Sequence, residues 1–266
     1  MRSKTLKTPP FRQRIQTLLA CLVLAITVAA LSPPGTARAA GGASYAGERY
    51  YDPFEPVNRG IFVFNQAIDE MLLKPAARLY ILVMPDRGQI IVSNIIANLK
   101  SPVILANDLL QGDLDRAQTT IARFAVNTIL GFGGMGDVAA DLGAPGHGED
   151  FGQTAAIYGI GSGPYLMLPF FGPSNLRDAI GKVADTFLDP LDYALDNRGA
   201  FTRAGLEGLE MRAEFLDVSE ALEKTSIDYY ASIRSVFSQN RAYEIRNGDP
   251  ELIVDIYGDA PDLPSK

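Results

Sequence analysis

The chain has 266 residues, 47% of them hydrophobic, which is enough apolar material for one large domain or two modest ones. Its formal charge is −7, with 24 Lys and Arg against 31 Asp and Glu, and a chain this acidic is not built to neutralise the phosphates of nucleic acid. One cysteine, Cys21, excludes an internal disulfide.

Arg2, Lys4, Lys7, Arg12 and Arg14 make a basic start, residues 18–31 are an apolar run broken only by Thr27, and Ala37-Arg38-Ala39 supplies small residues at a cleavage position. Residues 1–39 therefore read as a secretory signal, because the run is shorter than the ~18–20 residues a spanning helix needs. They hold six basic side chains and no acid, which leaves 18 Lys and Arg against 31 Asp and Glu, a formal charge of −13. Membrane attachment by a polybasic patch is thereby excluded, and apolar burial or a protein partner is what remains. Cys21 falls inside the signal, so no thiolate chemistry is left to the mature chain.

After a polar leader at 41–51, Asp52-Pro53-Phe54-Glu55 has the form of a helix start, with Pro56 leaving open a start one turn later. From Val57, apolar residues at helical spacing run through Ile61, Phe62, Phe64, Ile68 and Leu72 until Pro75 is expected to interrupt. A second helix is expected over 86–99. A third should start at Ser101-Pro102 and close at Gly112, and a fourth, capped by Asp113, should end at Gly131. Ser174 is expected to cap a fifth, with the stripe Leu176, Ile180, Val183 and Phe187 turned to the core. A sixth covers 201–222 and a last one 227–241. The fold class is all-α, with no alternation long enough for a sheet and no internal repeat. Residues 248–266, rich in Pro, Gly and Asp, read as a disordered tail.

Between the fourth and fifth helices lies the densest stretch, 151–178. Gly159, Gly161 and Gly163 alternate just before Pro164, a bent or hinged loop, and lead into the chargeless run Tyr165-Leu166-Met167-Leu168-Pro169-Phe170-Phe171. Its proline argues against a central strand, and its length against a span, so it must lie against a core or lipid.

Catalytic patterns fail on physical grounds. The letters G-x-G-x-x-G at 131–136 follow a helical stripe where a dinucleotide site needs a strand. His147, the only histidine, is expected exposed in its loop and lacks the converging ligands of a metal site. Neither Ser162 nor Ser174 stands in G-x-S-x-G, and no P-loop occurs. The acid pairs Glu149 with Asp150 and Asp189 with Asp192 read as solvated faces or caps. No enzyme, metal or cofactor is expected. What is left over is apolar surface: Phe54, Ile61, Phe62 and Phe64 together with 166–171 exceed what a small helical core needs, and lying in a membrane plane buries them.

DPFEPVNRGIFVFN at 52–65, RFAVNTILGFGGMGD at 123–137 and YGIGSGPYLMLPFFGPSNLRD at 158–178 together resemble the MlaA (VacJ) family of outer-membrane proteins, over about residues 51–241. The resemblance implies a signal at 1–39, a single helical domain at 40–247 shaped as a compact ring of amphipathic helices in the inner leaflet, and a glycine-rich hairpin. It implies a conduit that removes misplaced phospholipid from the outer leaflet, with a trimeric porin and a soluble periplasmic lipid-binding protein as partners. Extraction exposes about 28 methylenes at ~0.8 kcal/mol each, on the order of 20 kcal/mol, so a sheltered path is needed and a chemical step is not. Asn58, Arg59, Phe64 and Asn65 match the family's N-terminal helix motif, associated with gating or seating in the bilayer. Gly159, Gly161 and Gly163 match its hinge, with Tyr165 and Pro169 in the apolar arm. Family members are often lipoproteins. Leu18-Leu19-Ala20-Cys21 resembles a lipobox but departs from it in the bulky Leu19 and in an apolar run that continues past the cysteine. The competing reading is a periplasmic structural or interaction protein whose apolar faces are all internal.

Overall fold

The computed structural model describes residues 51–248, so the signal at 1–39, Cys21 and nearly all of the expected tail lie outside the described residues. Helix α1 (Glu55–Ile68) opens one turn after Asp52, with Pro56 in its first turn, where a missing N–H leaves no bond unmade. Asp52 does not cap it. Its carboxylate accepts from Asn58 Nδ2 at 2.7 Å, from Arg234 at 2.9 Å and from the Tyr230 hydroxyl.

Two expected interruptions do not occur. Pro75 does not end the first helical run, because a π-helical turn at Asp69–Leu73 carries α1 into α2 (Lys74–Val83) and seats the proline in the new first turn. Nor does Ser101-Pro102 start a helix: α3 is one piece, Asp86–Gln111, with Pro102 inside. An internal proline costs about 3 kcal/mol. The packing of α3 against α4, α6, α7 and α9 offsets it. α3 does close on Gly112, left-handed at φ 74, and Asp113 does cap α4 (Leu114–Ile129) by accepting from the Arg116 N–H.

Short helices α5 (Val138–Asp141) and α6 (Phe151–Ile157) are capped by Asp137 and Asp150. The apolar run, whose proline argued against a central strand, forms one strand of a two-stranded sheet where no sheet was expected: β1 (Tyr165–Leu168) pairs antiparallel with β2 (Gly172–Asn175), Tyr165 opposite Asn175 and Leu168 opposite Gly172. Pro169 is tolerated because it stands in the turn, outside the ladder. α7 (Leu176–Leu188) is capped by Asn175, not Ser174, which belongs to β2. After α8 (Leu191–Ala194) come α9 (Asn197–Glu214) and α10 (Leu216–Thr225), which divide at Phe215 the helix expected over 201–222. α11 (Tyr229–Ile245) starts two residues later than expected and leaves Ile227 fully exposed.

α6 crosses α7 so closely that a Cβ on Gly181 would lie 2.6 Å from the backbone nitrogen of Gly152, which only paired glycines allow. The apolar core is small. Tyr165, Met167 and Tyr230 are buried together with Ile61, Phe62 and Phe237 against them, while buried polar and charged residues outnumber buried apolar ones.

Candidate functional site

Two asparagines one heptad apart on α1 hold the arm of the hairpin. Asn58, 2% exposed, donates from Nδ2 to the Tyr165 carbonyl at 3.1 Å, and its Oδ1 accepts from the Met167 N–H at 2.9 Å. Asn65 repeats the pattern at the other end, donating to the Leu168 carbonyl and accepting from the Phe170 N–H, both at 2.9 Å. Each amide offers a strand the donor and acceptor of a neighbouring peptide, so β1 is paired on its second edge without a third strand. At the tip, Phe170 adopts φ 66, a left-handed conformation costly for an aromatic residue. The Asn65 bond and an edge contact with Phe64, ring centroids 5.4 Å apart, hold it there, while Pro169, Phe170 and Phe171 face outward.

Arg59 points to the C-terminal helix, forming bonds to Asp228 at 2.6 and 3.2 Å and to Glu55 at 2.8 Å, with its guanidinium 4.4 Å from the Tyr230 ring centre. It holds the Asp228 carboxyl down to about 2. The structure thus gathers Asn58, Phe64, Asn65 and Tyr165 around β1. Gly159, Gly161 and Gly163 stand in the loop that leads to it. Gly159 and Gly163 have φ 81 and 68, Gly161 does not use the left-handed region, and Ser162 and Pro164 carbonyls tie the loop to the start of α7.

Behind the hairpin the interior is polar. His147 is not an exposed loop histidine: its ring is 13% exposed, and Nε2 lies 3.0 Å from Asp108, which also accepts from the Thr120 hydroxyl at 2.6 Å. Glu149 is not solvated either. It is 1% exposed, pairs with Arg116 at 3.0 Å, accepts from Gln111 at 2.7 Å, and burial pushes its carboxyl up. Asp189, also expected in water, is buried against Arg203 at 2.6 Å. Asp150 does cap, and it also pairs with Arg241, which binds Asp178 at 2.8 Å as well. Burial works against the ionised Asp150, and Arg241 outweighs it, so its carboxyl sits below the usual range. Asp185 has no such ion pair: half-buried, accepting only from Asn107 and the Phe151 N–H, its carboxyl is pushed up by desolvation to about 6.

The outer faces invert the usual arrangement. On α4 the buried residues are Ala117, Thr120 and Asn127, whereas Leu114, Ile121, Phe124 and Ile129 are exposed. On α7 the stripe expected to face the core, Leu176, Ile180, Val183 and Phe187, is 45–60% exposed while Arg177 and Asp178 are buried. α3 is long and apolar enough by composition to cross a membrane, and little of it is buried. Between α3 and α4 runs a polar cleft of about 440 Å³, and a second of about 310 Å³ lies between the hairpin and α9–α11. Among the described residues no group of His, Cys, Asp and Glu could hold a metal. Sequence reasoning missed Asn107, Asp108, Glu149, Asp178 and Arg241, whose partners lie up to 91 positions away and leave no local signal.

With polar inner faces on α4 and α7, large apolar faces exposed and a pinned hairpin at one edge, this is a helical protein whose surface is built to be covered. Residues 50–244 match the family described as MlaA lipoprotein, and the chain belongs to that family. The intermembrane phospholipid transport system lipoprotein MlaA of Escherichia coli K12 is 35% identical over 204 residues, 74% of this chain and 80% of its own. The protein of the same description from Haemophilus influenzae is 29% identical over 202 residues, 74% of this chain and 80% of its own. A solved structure concerned with maintenance of bacterial outer membrane lipid asymmetry superposes with a TM-score of 0.66 at 35% identity, over 73% of this chain and 98% of that one.

Proposed function

We propose that this protein moves phospholipid out of the outer membrane toward the aqueous space behind it, seated in the bilayer and breaking no covalent bond. Relatives described as parts of an intermembrane phospholipid transport system, and a similar structure concerned with lipid asymmetry, support the cargo and the membrane. The observation that carries the reading is the inversion on α4 and α7: their apolar stripes stand exposed, while asparagine, threonine, arginine and aspartate are buried on their inner faces. Acyl chains keep to the apolar outside while a charged headgroup takes the polar inside, so neither is stripped of a matching environment. The competing reading, an interaction protein with internal apolar faces, has these exposed stripes against it.

On this reading the chain is exported by residues 1–39, and the domain at 40–247 forms a ring in the inner leaflet. Outer-leaflet phospholipid enters its channel, a trimeric porin holds the ring, and a soluble periplasmic lipid-binding protein receives the lipid. The gate is the hairpin: Asn58 and Asn65 latch its arm to α1, Arg59 ties α1 to the C-terminal helix, and Phe64 braces the tip. Gly159, Gly161 and Gly163 serve as the hinge, Tyr165 as the buried pivot and Pro169 as the turn. Fractionation without detergent tests the reading. Retention with the outer membrane, and phospholipid accumulating in the outer leaflet of cells that lack the protein, is the expected result. Release with soluble periplasm, with an unchanged outer leaflet, would overturn it.

A further inference from the structure

The cleft between α3 and α4 is polar without being cationic. Arg123 lies at its wall, and its guanidinium spends two of its N–H groups on Asp137 at 2.8 Å and on the Ala144 carbonyl. With Asp108 behind His147, the cleft has two carboxylates to one guanidinium, so it is no site for a bare anion. It has acceptors to spare. Asn98, 7% exposed and on the cleft wall, donates from Nδ2 to Thr128, while its Oδ1 is buried with no partner. That Oδ1 is a buried acceptor short of a donor, which is costly to leave unmade. Such a residue calls for a ligand that donates. Arg123 meanwhile holds five N–H donors, more than its two bonds use.

We propose that this cleft seats a zwitterionic headgroup bearing a primary ammonium, as in an ethanolamine phospholipid. The ammonium donates to Asn98, near the Asp137 carboxylate, and the phosphate takes the remaining N–H groups of Arg123. The inference rests on the transport reading and adds to it a preference among lipids. A quaternary choline ammonium has the same charge and nothing to donate. Phosphatidylglycerol brings an uncompensated negative charge to a cleft with surplus carboxylate.

The test uses the whole exported chain in detergent, exposed to an equimolar mixture of dioleoyl phosphatidylethanolamine, phosphatidylcholine and phosphatidylglycerol. Retained lipid is counted by mass spectrometry. Phosphatidylethanolamine should be enriched about tenfold over phosphatidylcholine, the effect of one charge-assisted hydrogen bond. Asn98→Leu should bring that ratio near one by lowering the phosphatidylethanolamine retained. Asp137→Asn frees Arg123 and should shift retention toward phosphatidylglycerol, a change of sign that mere loosening of the fold would not produce. Equal retention of the three lipids by the parent protein, or a preference for phosphatidylglycerol, would overturn the headgroup inference and leave transport standing. Retention of no lipid at all would overturn the transport reading and this inference with it.

Discussion

Helices α4 and α9 are of similar length and carry similar residues, and they use them in opposite ways. α4 turns Arg116 and Arg123 inward to Glu149 and Asp137 and collects Leu114, Ile121, Phe124 and Ile129 in one stripe facing out. α9 buries nothing and scatters its groups: Phe201 and Met211 are exposed, but Arg203 pairs with Asp189 and Glu207 and Arg212 with Asp69 around the same cylinder. A continuous apolar stripe needs a continuous apolar neighbour, whereas scattered apolar groups laced with charge are satisfied by water. On the proposed reading, the contrast marks the side of the molecule that meets lipid.

Breaking the inner polar set should cost most. Arg241→Met leaves Asp150 and Asp178 without their shared cation, and about 3–5 kcal/mol of stability should be lost in chemical denaturation in detergent. Next comes the latch. Asn58→Ala orphans the Tyr165 carbonyl and Met167 N–H in the core for about 3 kcal/mol, and Asn65→Ala, nearer the surface, about 1–2 kcal/mol. Hydrogen exchange should show the hairpin amides losing protection first.

The pH profile probes the same interior. Asp185 is raised to about 6 when folded, so the native state binds the extra proton. Its carboxyl favours folding below pH ~4, and that advantage is lost as pH rises to ~6. The unfolding free energy read from denaturant titrations should fall across this window by up to about 2–3 kcal/mol, and Asp185→Asn should flatten most of the slope. The outer stripe responds to a different measurement. Ile121→Glu should leave stability in detergent nearly unchanged and weaken vesicle binding by about 2 kcal/mol, while Phe201→Glu on α9 should leave binding as it was. Smallest of all is the exposed pair Arg78 and Glu220, where Arg78→Ala should change stability by less than about 0.5 kcal/mol.

Much of the helical layout was legible in the sequence because caps and apolar spacing are local: Asp113 and Gly112 do what their positions suggest. Proline misled the reading where a π-helical turn seated it in a new first turn, at Pro75, where tertiary packing overrode it, at Pro102, and where a turn absorbed it, at Pro169. The direction of the stripes was the larger error. Spacing shows that Leu176, Ile180, Val183 and Phe187 share a face, but not whether that face meets protein or lipid, and the usual rule for soluble proteins gave the wrong side for α7. His147 and Glu149 read as solvated because the partners that bury them, Asp108 and Arg116, come from other helices. Of the residues singled out beforehand, Asn58 and Asn65 have the clearest physical role, and their pairing with a strand could not be foreseen where no strand was expected.

The central claim is that the apolar stripes of α4 and α7 lie in hydrocarbon. Cys21 is the chain's only cysteine, so with Cys21→Ser as background a single nitroxide can be placed at Ile121, Val183 or Glu210 of the protein reconstituted in bilayers. Collision rates with oxygen and with a water-soluble nickel complex then measure what each site touches. The account predicts oxygen-dominated relaxation at 121 and 183 and nickel-dominated relaxation at 210. Nickel access at all three positions would contradict it.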